Sequence, residues 1–306
     1  MISFLARRLG QALVVVIAVG AVIFFVMRLL PGDPARLMSP RASPEALEAL
    51  HIQLGLDKPK IVQFLTFARE AFQGNLGESY YEQAPALRLI FRALPLTILL
   101  AGMSMLIAVV IGLPLGFLAA TNRGKAVDRV VLVVQMIFQS APSFWLALVL
   151  LLVFGVNLHW FNPTGYQGIE SAVLPSVSMA IGLIAVISRS ARGSMIDVLD
   201  RDWVKALHAR GIARRRIVWV HAFKNTWVST LTLLGAQVAY LLGGAVVVEW
   251  IFNYPGVGLL TLNAVLRKDY PLVQAVVIVT ATIFVLVNLI VDMSYGIIDP
   301  RVRKRA

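Results

Sequence analysis

Long apolar runs without a charged residue are the feature that most restricts the fold of this chain. The runs Pro95–Ala120 and Val130–Leu158 contain no charged residue over 26 and 29 positions. About 20 apolar residues suffice for a helix to cross the hydrocarbon core of a bilayer. Four further runs have the same character: Leu9–Leu30, Ala172–Ser188, Thr226–Val248 and Tyr270–Val291. Since a backbone in lipid must satisfy its own hydrogen bonds, the sequence predicts an all-α membrane protein with six transmembrane helices.

The net charge of +12 is concentrated in segments that would lie on one side of the membrane. With six spans and a cytoplasmic N-terminus, the cytoplasmic segments hold 18 of the 28 basic residues and five of the 16 acidic residues. Cytoplasmic loops of membrane proteins carry such an excess of Lys and Arg. The charge therefore predicts cytoplasmic N- and C-termini and a lipid bilayer as partner, and it argues against nucleic-acid binding.

The first run resembles a signal peptide, because Arg7 and Arg8 precede it. It is 22 residues long, however, and no A-x-A cleavage signal follows it, so we predict a retained membrane anchor. The predicted organisation is an N-terminal region of residues 1–30, a helical extracytoplasmic insertion of residues 31–94 between the first two spans, and a core of residues 95–306.

The insertion carries signals for two short helices. Ser43 and Pro44 predict the start of the first helix, and Gly55 predicts its end. Apolar residues at helical spacing predict a second helix from about Pro59 to Gln73. The insertion is either a small cap packed on the helix bundle or a docking surface for a substrate carrier.

A polar, basic stretch separates the fourth and fifth apolar runs. It extends over residues 190–225, and nine Lys and Arg lie between Arg189 and Lys224. Its centre, Asp202–Ile212, predicts a short cytoplasmic helix that Asp202 caps and Gly211 ends. A helix of this length is not stable alone in water, so we expect it to dock on a surface. The alternative is a solvated loop that only orients the protein.

Several residues within the apolar runs have a predicted role. Polar side chains at membrane depth are candidates for a translocation pathway or gate: Gln135, Gln139, Gln237, Tyr240 and Glu249. A carboxylate there is costly unless it is paired or wet. Glu249 is therefore either functional or a residue just past the membrane boundary that water satisfies. Gly112 and Gly116 predict close helix packing, and three prolines are expected to interrupt spans: Pro114, Pro142 and Pro175.

The sequence indicates no catalytic, metal or nucleotide site. It contains no Cys, and its four His are scattered without an Asp or Glu partner at the spacing of a metal site or proton relay. The phosphate-binding pattern G-x-x-x-x-G-K-[ST] does not occur. We therefore predict that the chain is not an enzyme and holds no cofactor of its own.

The basic stretch resembles the "EAA" loop of bacterial ABC importer permeases, in the dipeptide/oligopeptide branch. Lys205 and Leu207 stand where the motif has Glu and a second Ala, and Ser229 stands where a Pro is usual. The matching positions are Asp202, Ala209, Arg210, Gly211, His221, Ala222 and Asn225. LLPGDPARL in the insertion and LLGGAVVVEWIFNYPGVGLL from Leu241 are also similar to this branch, so the resemblance covers nearly the whole chain.

The resemblance implies a fold, a function and partners. It implies the type I importer permease fold, as the B-type membrane subunit of a di- or oligopeptide importer in the bacterial inner membrane. The implied partners are a homologous second permease, two ABC ATPase subunits that bind ATP and Mg²⁺, and a periplasmic solute-binding protein. The implied ATPase-coupling residues lie in and after the short helix: Asp202, Trp203, Lys205, Ala206, Leu207, Ala209, Arg210 and Gly211.

Within the coupling helix, Trp203 and Leu207 are expected to be the apolar contacts, because residues four apart share a helix face. Two alternatives remain open. The first is the same role with glutathione, nickel or an oligosaccharide as substrate. The second is a stand-alone secondary transporter or channel, which would need ion-coupling carboxylates inside the spans.

Overall fold

The computed structural model describes residues 2–29, 33–39 and 41–298. Within these ranges, some side chains are not described, namely those of residues 2–6, 34, 37, 227–229, 231, 232, 239, 240, 242, 244, 291, 292 and 294–298. Leu30, the last residue of the predicted first span, and the basic residues 301–305 lie outside the described residues. In the described part, the β pairing consists of one isolated bridge between Glu78 and Pro85.

Thirteen α-helices follow one another along the described residues. The first seven are α1 (Ile2–Leu29), α2 (Pro34–Met38), α3 (Pro44–Gln53), α4 (Lys60–Phe72), α5 (Ala86–Thr121), α6 (Ala126–Ser140) and α7 (Ser143–Leu150). The last six are α8 (Val173–Leu199), α9 (Asp202–Ala209), α10 (Arg214–Arg216), α11 (Phe223–Ile251), α12 (Val257–Leu266) and α13 (Tyr270–Ile298). Two π-helical segments, Leu151–Asn157 and Ile217–Ala222, extend α7 and precede α11. A short 3-10 helix, Ile169–Ala172, precedes α8.

The chain divides into two compact units. The first unit comprises α1 to α4, the start of α5 up to Pro95, α12, and α13 up to Leu286. Its core contains Ile90 of α5, Val257 of α12 and Val273 of α13. Phe24 of α1 packs against α4 through Phe64 and Phe67, at ring-centroid distances of 5.4 and 5.3 Å. The amphipathic helix α4 therefore lies along α1 with its aromatic face inward.

Asp269 connects the N-terminus of α13 to the segment before α5 in the first unit. Its carboxylate accepts hydrogen bonds from the backbone N–H of Leu272 at 3.4 Å and of Tyr80 at 3.3 Å. The hydroxyl of Ser79 also donates to Asp269, and both side chains are buried. Asp269 thus caps the helix and anchors the loop with one side chain.

Helix α8 is the centre of the second unit. This unit comprises α5 from Leu96, α6 to α11 up to Pro255, and α13 from Val287. Helix α8 packs against α6, α7 and α11. Of the most apolar 18-residue stretch within Ile169–Leu199, 72% is buried. The corresponding value for Arg7–Leu29 in α1 is 11%. The core of the second unit is thus built around α8, whereas α1 leaves most of its apolar surface uncovered.

The two helices predicted for the insertion are confirmed. Ser43 is the N-cap of α3, its side chain accepts a hydrogen bond from Ala46 N, and Pro44 is the first helical residue. Gly55 follows α3 in the left-handed region at φ 64°. The second predicted helix is α4, which begins after Pro59 and ends before Gln73.

Four predicted spans are confirmed as helices long and apolar enough to cross a membrane. They correspond to Arg7–Leu29, Ala86–Thr121, Ile169–Leu199 and Tyr270–Ile290. The predicted third span is a bent pair, Ala126–Ser140 and Ser143–Asn157, whose axes differ by 93°. The predicted fifth span lies in α11, several of whose side chains are outside the described residues. The number of six spans stays a prediction.

The three prolines behave differently from one another. Pro142 is the N-cap of α7 and lies at the 93° bend, so it interrupts the third span as predicted. Pro114 lies inside the continuous helix α5, and Pro175 is the third residue of α8. The prediction that these two interrupt spans is wrong. The first turn of a helix, where Pro175 lies, tolerates proline because its N–H groups have no partner within the helix. Pro114 lies in the interior of α5, where a proline removes one backbone hydrogen bond, and the helix continues past it.

Candidate functional site

Helix α9 is the short helix predicted within the basic stretch. Its N-cap is Arg201, whose backbone is extended at φ −73° and ψ 148°, so the prediction of Asp202 as the cap is wrong. Asp202 is the first helical residue, and its carboxylate accepts a hydrogen bond from Lys205 Nζ at 2.7 Å. A carboxylate in the first turn still favours the helix, because it lies at the positive end of the helix dipole.

Gly211 follows α9 in the left-handed region, at φ 74°, which glycine adopts without strain. Its N–H donates to His208 O at 2.9 Å, and the N–H of Ile212 donates to Leu207 O at 3.2 Å. These two bonds form a Schellman motif, which satisfies carbonyls at the end of a helix. The predicted role of Gly211 as the end of the helix is therefore confirmed, and the direction in which the chain leaves α9 is fixed.

One face of α9 packs on the chain itself. Val204, which the sequence interpretation did not single out, is buried at 3% exposure. Trp203 is half-buried against the core of the second unit, and Leu207 is half-buried. Residues expected to contact a partner therefore also hold α9 on its own unit, and only the remainder of their surface is available to another protein.

The opposite face of α9 is exposed. Asp202, Lys205, Ala206 and Ala209 are all exposed, and their spacing of three, four and seven residues places them on one face. The side chains of Asp202 and Lys205 are 94% and 73% exposed. The two alanines form a flat strip beside this ion pair, and the exposed Arg210 follows. We call Asp202, Lys205, Ala206 and Ala209 the α9 strip. Another protein can cover this strip without rearranging the chain.

Helix α9 is joined closely to long helices on both sides. Residues 200–201 connect it to the 27-residue helix α8. Residues 210–213 lead from α9 into a helical run that starts at Arg214 and continues through α10 and the second π segment to the end of α11 at Ile251. Both connections are short, so α9 lies close to the ends of α8 and α11 along the chain.

An ion pair that the sequence interpretation missed holds the turn between α5 and α6 on α8. Arg192 donates from Nε to Asp128 Oδ1 at 2.7 Å and from Nη2 to Asp128 Oδ2 at 2.8 Å. Asp128 is buried and also accepts a hydrogen bond from Gly124 N at 2.9 Å. One feature of the sequence could have indicated a paired carboxylate here: Asp128 is the single acidic residue beside the basic residues of this turn.

Two exposed contacts connect the same turn to both sides of α9. Arg123 Nη1 donates to Asp200 Oδ2 at 3.0 Å, just before α9. Arg214 Nη2 donates to the carbonyl oxygen of Thr121 at 3.1 Å, just after it. The α5–α6 turn, α9 and the ends of α8 and α11 thus form one connected surface of the second unit.

Replacing Asp128 with Asn is expected to lower the unfolding free energy of the chain by about 2 kcal/mol, because the Arg192 guanidinium loses its bidentate partner in a largely buried site. The exposed pair of Arg123 and Asp200 provides a matched control, and Asp200→Asn should change the value by less than about 0.5 kcal/mol. Unfolding by SDS titration in mixed micelles measures both. Equal losses in the two variants would contradict the assigned importance of the Asp128–Arg192 pair.

The predicted pathway residues differ in burial and in the helix that carries them. Gln135 is buried, and its Nε2 donates to Ser188 Oγ at 2.6 Å, so it joins α6 to α8. Gln139 is exposed one turn further along α6, and Gln237 is half-buried on α11. The side chain of Tyr240 lies outside the described residues. A role of these residues in a pathway stays a prediction.

Glu249 lies near the end of α11 and is fully buried. Its Oε1 accepts a hydrogen bond from the hydroxyl of Thr97 on α5 at 2.7 Å. The expectation that bulk water satisfies Glu249 is therefore wrong, whereas its position relative to the membrane boundary stays a prediction. The carboxylate is held inside the second unit, where it connects α5 and α11.

The described residues contain no group of three or more His, Cys, Asp and Glu that could hold a metal ion. The features described above are an exposed face of α9 and its short connections to α8 and α11.

Comparison with known protein families identifies two matches along the chain. Residues 112–304 match the family described as "Binding-protein-dependent transport system inner membrane component". Residues 1–101 match the family described as "Binding-prot-dependent transport system membrane comp, N-term". Together the two matches include every residue of the chain except 102–111 and 305–306.

Curated relatives align over almost their entire length. The chain is 36% identical to the probable peptide ABC transporter permease protein y4tP of Sinorhizobium fredii, with 98% of this chain and 99% of the relative covered. It is 37% identical to the di/tripeptide transport system permease protein DppB of Pseudomonas aeruginosa, with 99% of each chain covered.

Among solved structures, a chain of the inward-facing MetNI methionine ABC transporter is similar in fold. The TM-score is 0.60 at 18% sequence identity, and the alignment covers 70% of this chain and 97% of that chain. At this identity the likeness concerns the fold alone.

Proposed function

Because this chain belongs to the family of binding-protein-dependent transport system inner membrane components, we propose that it is the permease subunit of an ABC importer for short peptides. It has the type I importer permease fold. It forms half of the translocation pathway, and a homologous second permease forms the other half. Relatives named as peptide and di/tripeptide permeases support the choice of substrate.

In this proposal the α9 strip is the docking surface for an ABC ATPase subunit, and a second ATPase binds the homologous permease. The observation that carries this assignment is the exposed, flat face of a helix whose other face is fixed on the second unit. The Schellman turn at Gly211 and the short connections to α8 and α11 support it, because they make α9 a stiff link.

Coupling then proceeds by displacement rather than by chemistry on this chain. ATP and Mg²⁺ bind the partner ATPase subunits, and closure of those subunits moves α9. The ends of α8 and α11 follow, together with the α5–α6 turn that Asp128 and Arg192 hold on α8. Access to the pathway alternates as these helices tilt. This chain contributes positioning and motion, and the partner subunits contribute hydrolysis.

The remaining partners follow from the proposed orientation. Both termini and α9 lie on the cytoplasmic side of the bacterial inner membrane, in agreement with the concentration of basic residues there. The insertion that contains α3 and α4 lies on the periplasmic side. A periplasmic solute-binding protein delivers the peptide at that side.

Cysteine cross-linking tests the docking surface directly, because the chain has no cysteine of its own. We expect Ala206→Cys and Ala209→Cys to cross-link to the ATPase subunit in membranes that contain the assembled importer. Both residues are exposed and neither packs on the core, so the substitutions leave the fold unchanged.

The matched control is Ala49→Cys, an exposed alanine of α3 in the insertion. It should form no cross-link to the ATPase, and a membrane-impermeant thiol reagent should label it from the periplasmic side. Cross-linking of position 49 but not of positions 206 and 209 would refute both the docking surface and the orientation.

A further inference from the structure

Two neighbouring cavities lie in the first unit, between α1, α4 and α13. One has a volume of about 600 Å³ and a mixed charged and polar lining. The other has a volume of about 490 Å³ and an apolar lining. Phe67 and Leu76 line both cavities, so the two are adjacent. The polar cavity lies at Arg28 of α1 and Tyr270 of α13, and the apolar cavity lies further along both helices.

The polar cavity presents hydrogen-bond donors and positive charge. Arg28 lines it and is held in place, because Nε donates to Gln63 Oε1 at 2.9 Å and the guanidinium stacks on its own Phe24 ring. Lys58 and Lys60 line the same cavity. Two carboxylates, Asp33 and Glu70, also line it, and Asp33 is paired with His51 at 2.8 Å.

Two tyrosines add hydroxyl groups to this lining. Tyr270 is 6% exposed, and its buried hydroxyl has no hydrogen-bond partner among the described residues. A buried donor without a partner is costly, and Tyr270 lines the polar cavity, so its hydroxyl is available to donate to a group bound there. Burial and the nearby Asp269 charge raise the pKa of Tyr80 to about 12, so its phenol remains protonated at neutral pH.

The apolar cavity has the character of a site for a hydrocarbon chain. Its lining comes from α1, α4, α5 and α13, and it includes Ile17, Phe64, Phe91 and Ile283. Along α1 the two cavities extend from Arg28 to Leu13, about 22 Å at 1.5 Å per residue. This length matches one leaflet, half of a bilayer about 40–45 Å thick.

We propose that the two cavities together bind one phospholipid, with its phosphate at Arg28 and the tyrosine hydroxyls and one acyl chain between α1, α4 and α13. The polar end matches a phosphate group in charge, and the apolar end matches an acyl chain in character and length. A free anion would use only the polar cavity. The continuity of the two cavities therefore favours a molecule that carries both parts.

Native mass spectrometry of the assembled importer tests the proposal. The complex is purified in a mild detergent from membranes of phosphatidylethanolamine and phosphatidylglycerol, and retained phospholipid per chain is counted. Arg28→Gln should lower the retained amount by roughly tenfold, because a hydrogen bond to a charged group is lost. Arg92→Gln is the matched control, since Arg92 is exposed and lines neither cavity.

A second pair of variants tests the apolar end without changing charge. Ala71→Phe fills the apolar cavity and should lower the retained phospholipid as strongly as Arg28→Gln. Ala49→Phe, at an exposed position of α3, should leave it unchanged. Retention within twofold of the unaltered chain in both Arg28→Gln and Ala71→Phe would overturn the proposal.

Inorganic phosphate distinguishes a phospholipid from a free anion. Phosphate at millimolar concentration should not displace the retained lipid, because it lacks the group that fills the apolar cavity. If phosphate alone displaces it, or protects Lys58 and Lys60 from chemical modification as well as phospholipid vesicles do, the site is an anion site and the proposal is wrong.

Discussion

Replacing Ala206 with tryptophan is expected to reduce ATP-driven peptide uptake by roughly 100-fold, because bulk is inserted into the centre of a flat interface. Ala206 is exposed on the α9 strip and is not part of the hydrophobic core of its own chain. The variant should therefore fold and insert normally, and the loss should lie in the association with the ATPase. Uptake of a labelled dipeptide into proteoliposomes, with stimulated ATP hydrolysis measured in parallel, quantifies the effect.

The matched control for this prediction is Ala126→Trp. Ala126 is also exposed, and it lies at the start of α6 on the turn that contacts both sides of α9. Uptake in this variant should stay within about threefold of the unaltered chain, as expected of residues at the rim of an interface. Normal uptake and ATPase stimulation in a correctly assembled Ala206→Trp complex would exclude the α9 strip as the coupling surface.

Features that depend on neighbouring residues were predictable from the sequence. The apolar runs predicted the membrane helices, because length and hydrophobicity alone determine whether a helix can cross a bilayer. Ser43 and Gly55 predicted the ends of α3, and Gly211 predicted the end of α9, because caps act within a few residues. The same reasoning placed α9 within the basic stretch.

Features that depend on distant residues were not predictable in this way. Asp128 and Arg192 are 64 positions apart, and no local pattern pairs them. The fourth span was predicted to stop at Ser188, where the charges begin, but α8 continues to Leu199. A helix outside lipid needs no apolar sequence, so the end of an apolar run does not predict the end of the helix.

The sequence also could not predict which face of α9 is buried. Trp203, Val204 and Leu207 are all apolar, and the sequence does not specify which of them packs on the chain itself. The core of the second unit decides this, because it buries Val204 and part of Trp203. The exposed strip follows from that choice, and tertiary packing therefore determines which residues a partner can reach.

Replacing Gly116 with alanine is expected to lower the unfolding free energy by about 3 kcal/mol, because it overpacks the closest contact between α5 and α8. A Cβ at Gly116 would collide with the carbonyl oxygen of Ser188 and lie 2.8 Å from Cβ of Ala191. Backbone atoms of a buried helix cannot move aside as a flexible side chain can. The added methyl group would push α5 away from α8. Because α8 is central to the second unit, this would disturb the packing around it. SDS titration in mixed micelles measures the loss.

Two further glycines of α5 make this prediction a graded series. A Cβ at Gly112 would lie 3.2 Å from Ile184 O and from the side chain of Ile187, so Gly112→Ala should cost less than Gly116→Ala. A Cβ at Gly102 would meet no atom within 4 Å, and Gly102→Ala should stabilise the helix by up to about 1 kcal/mol. The three substitutions are chemically identical, so their order isolates the helix contact from helix propensity. Equal effects at all three positions would show that α5 and α8 do not approach closely at Gly116.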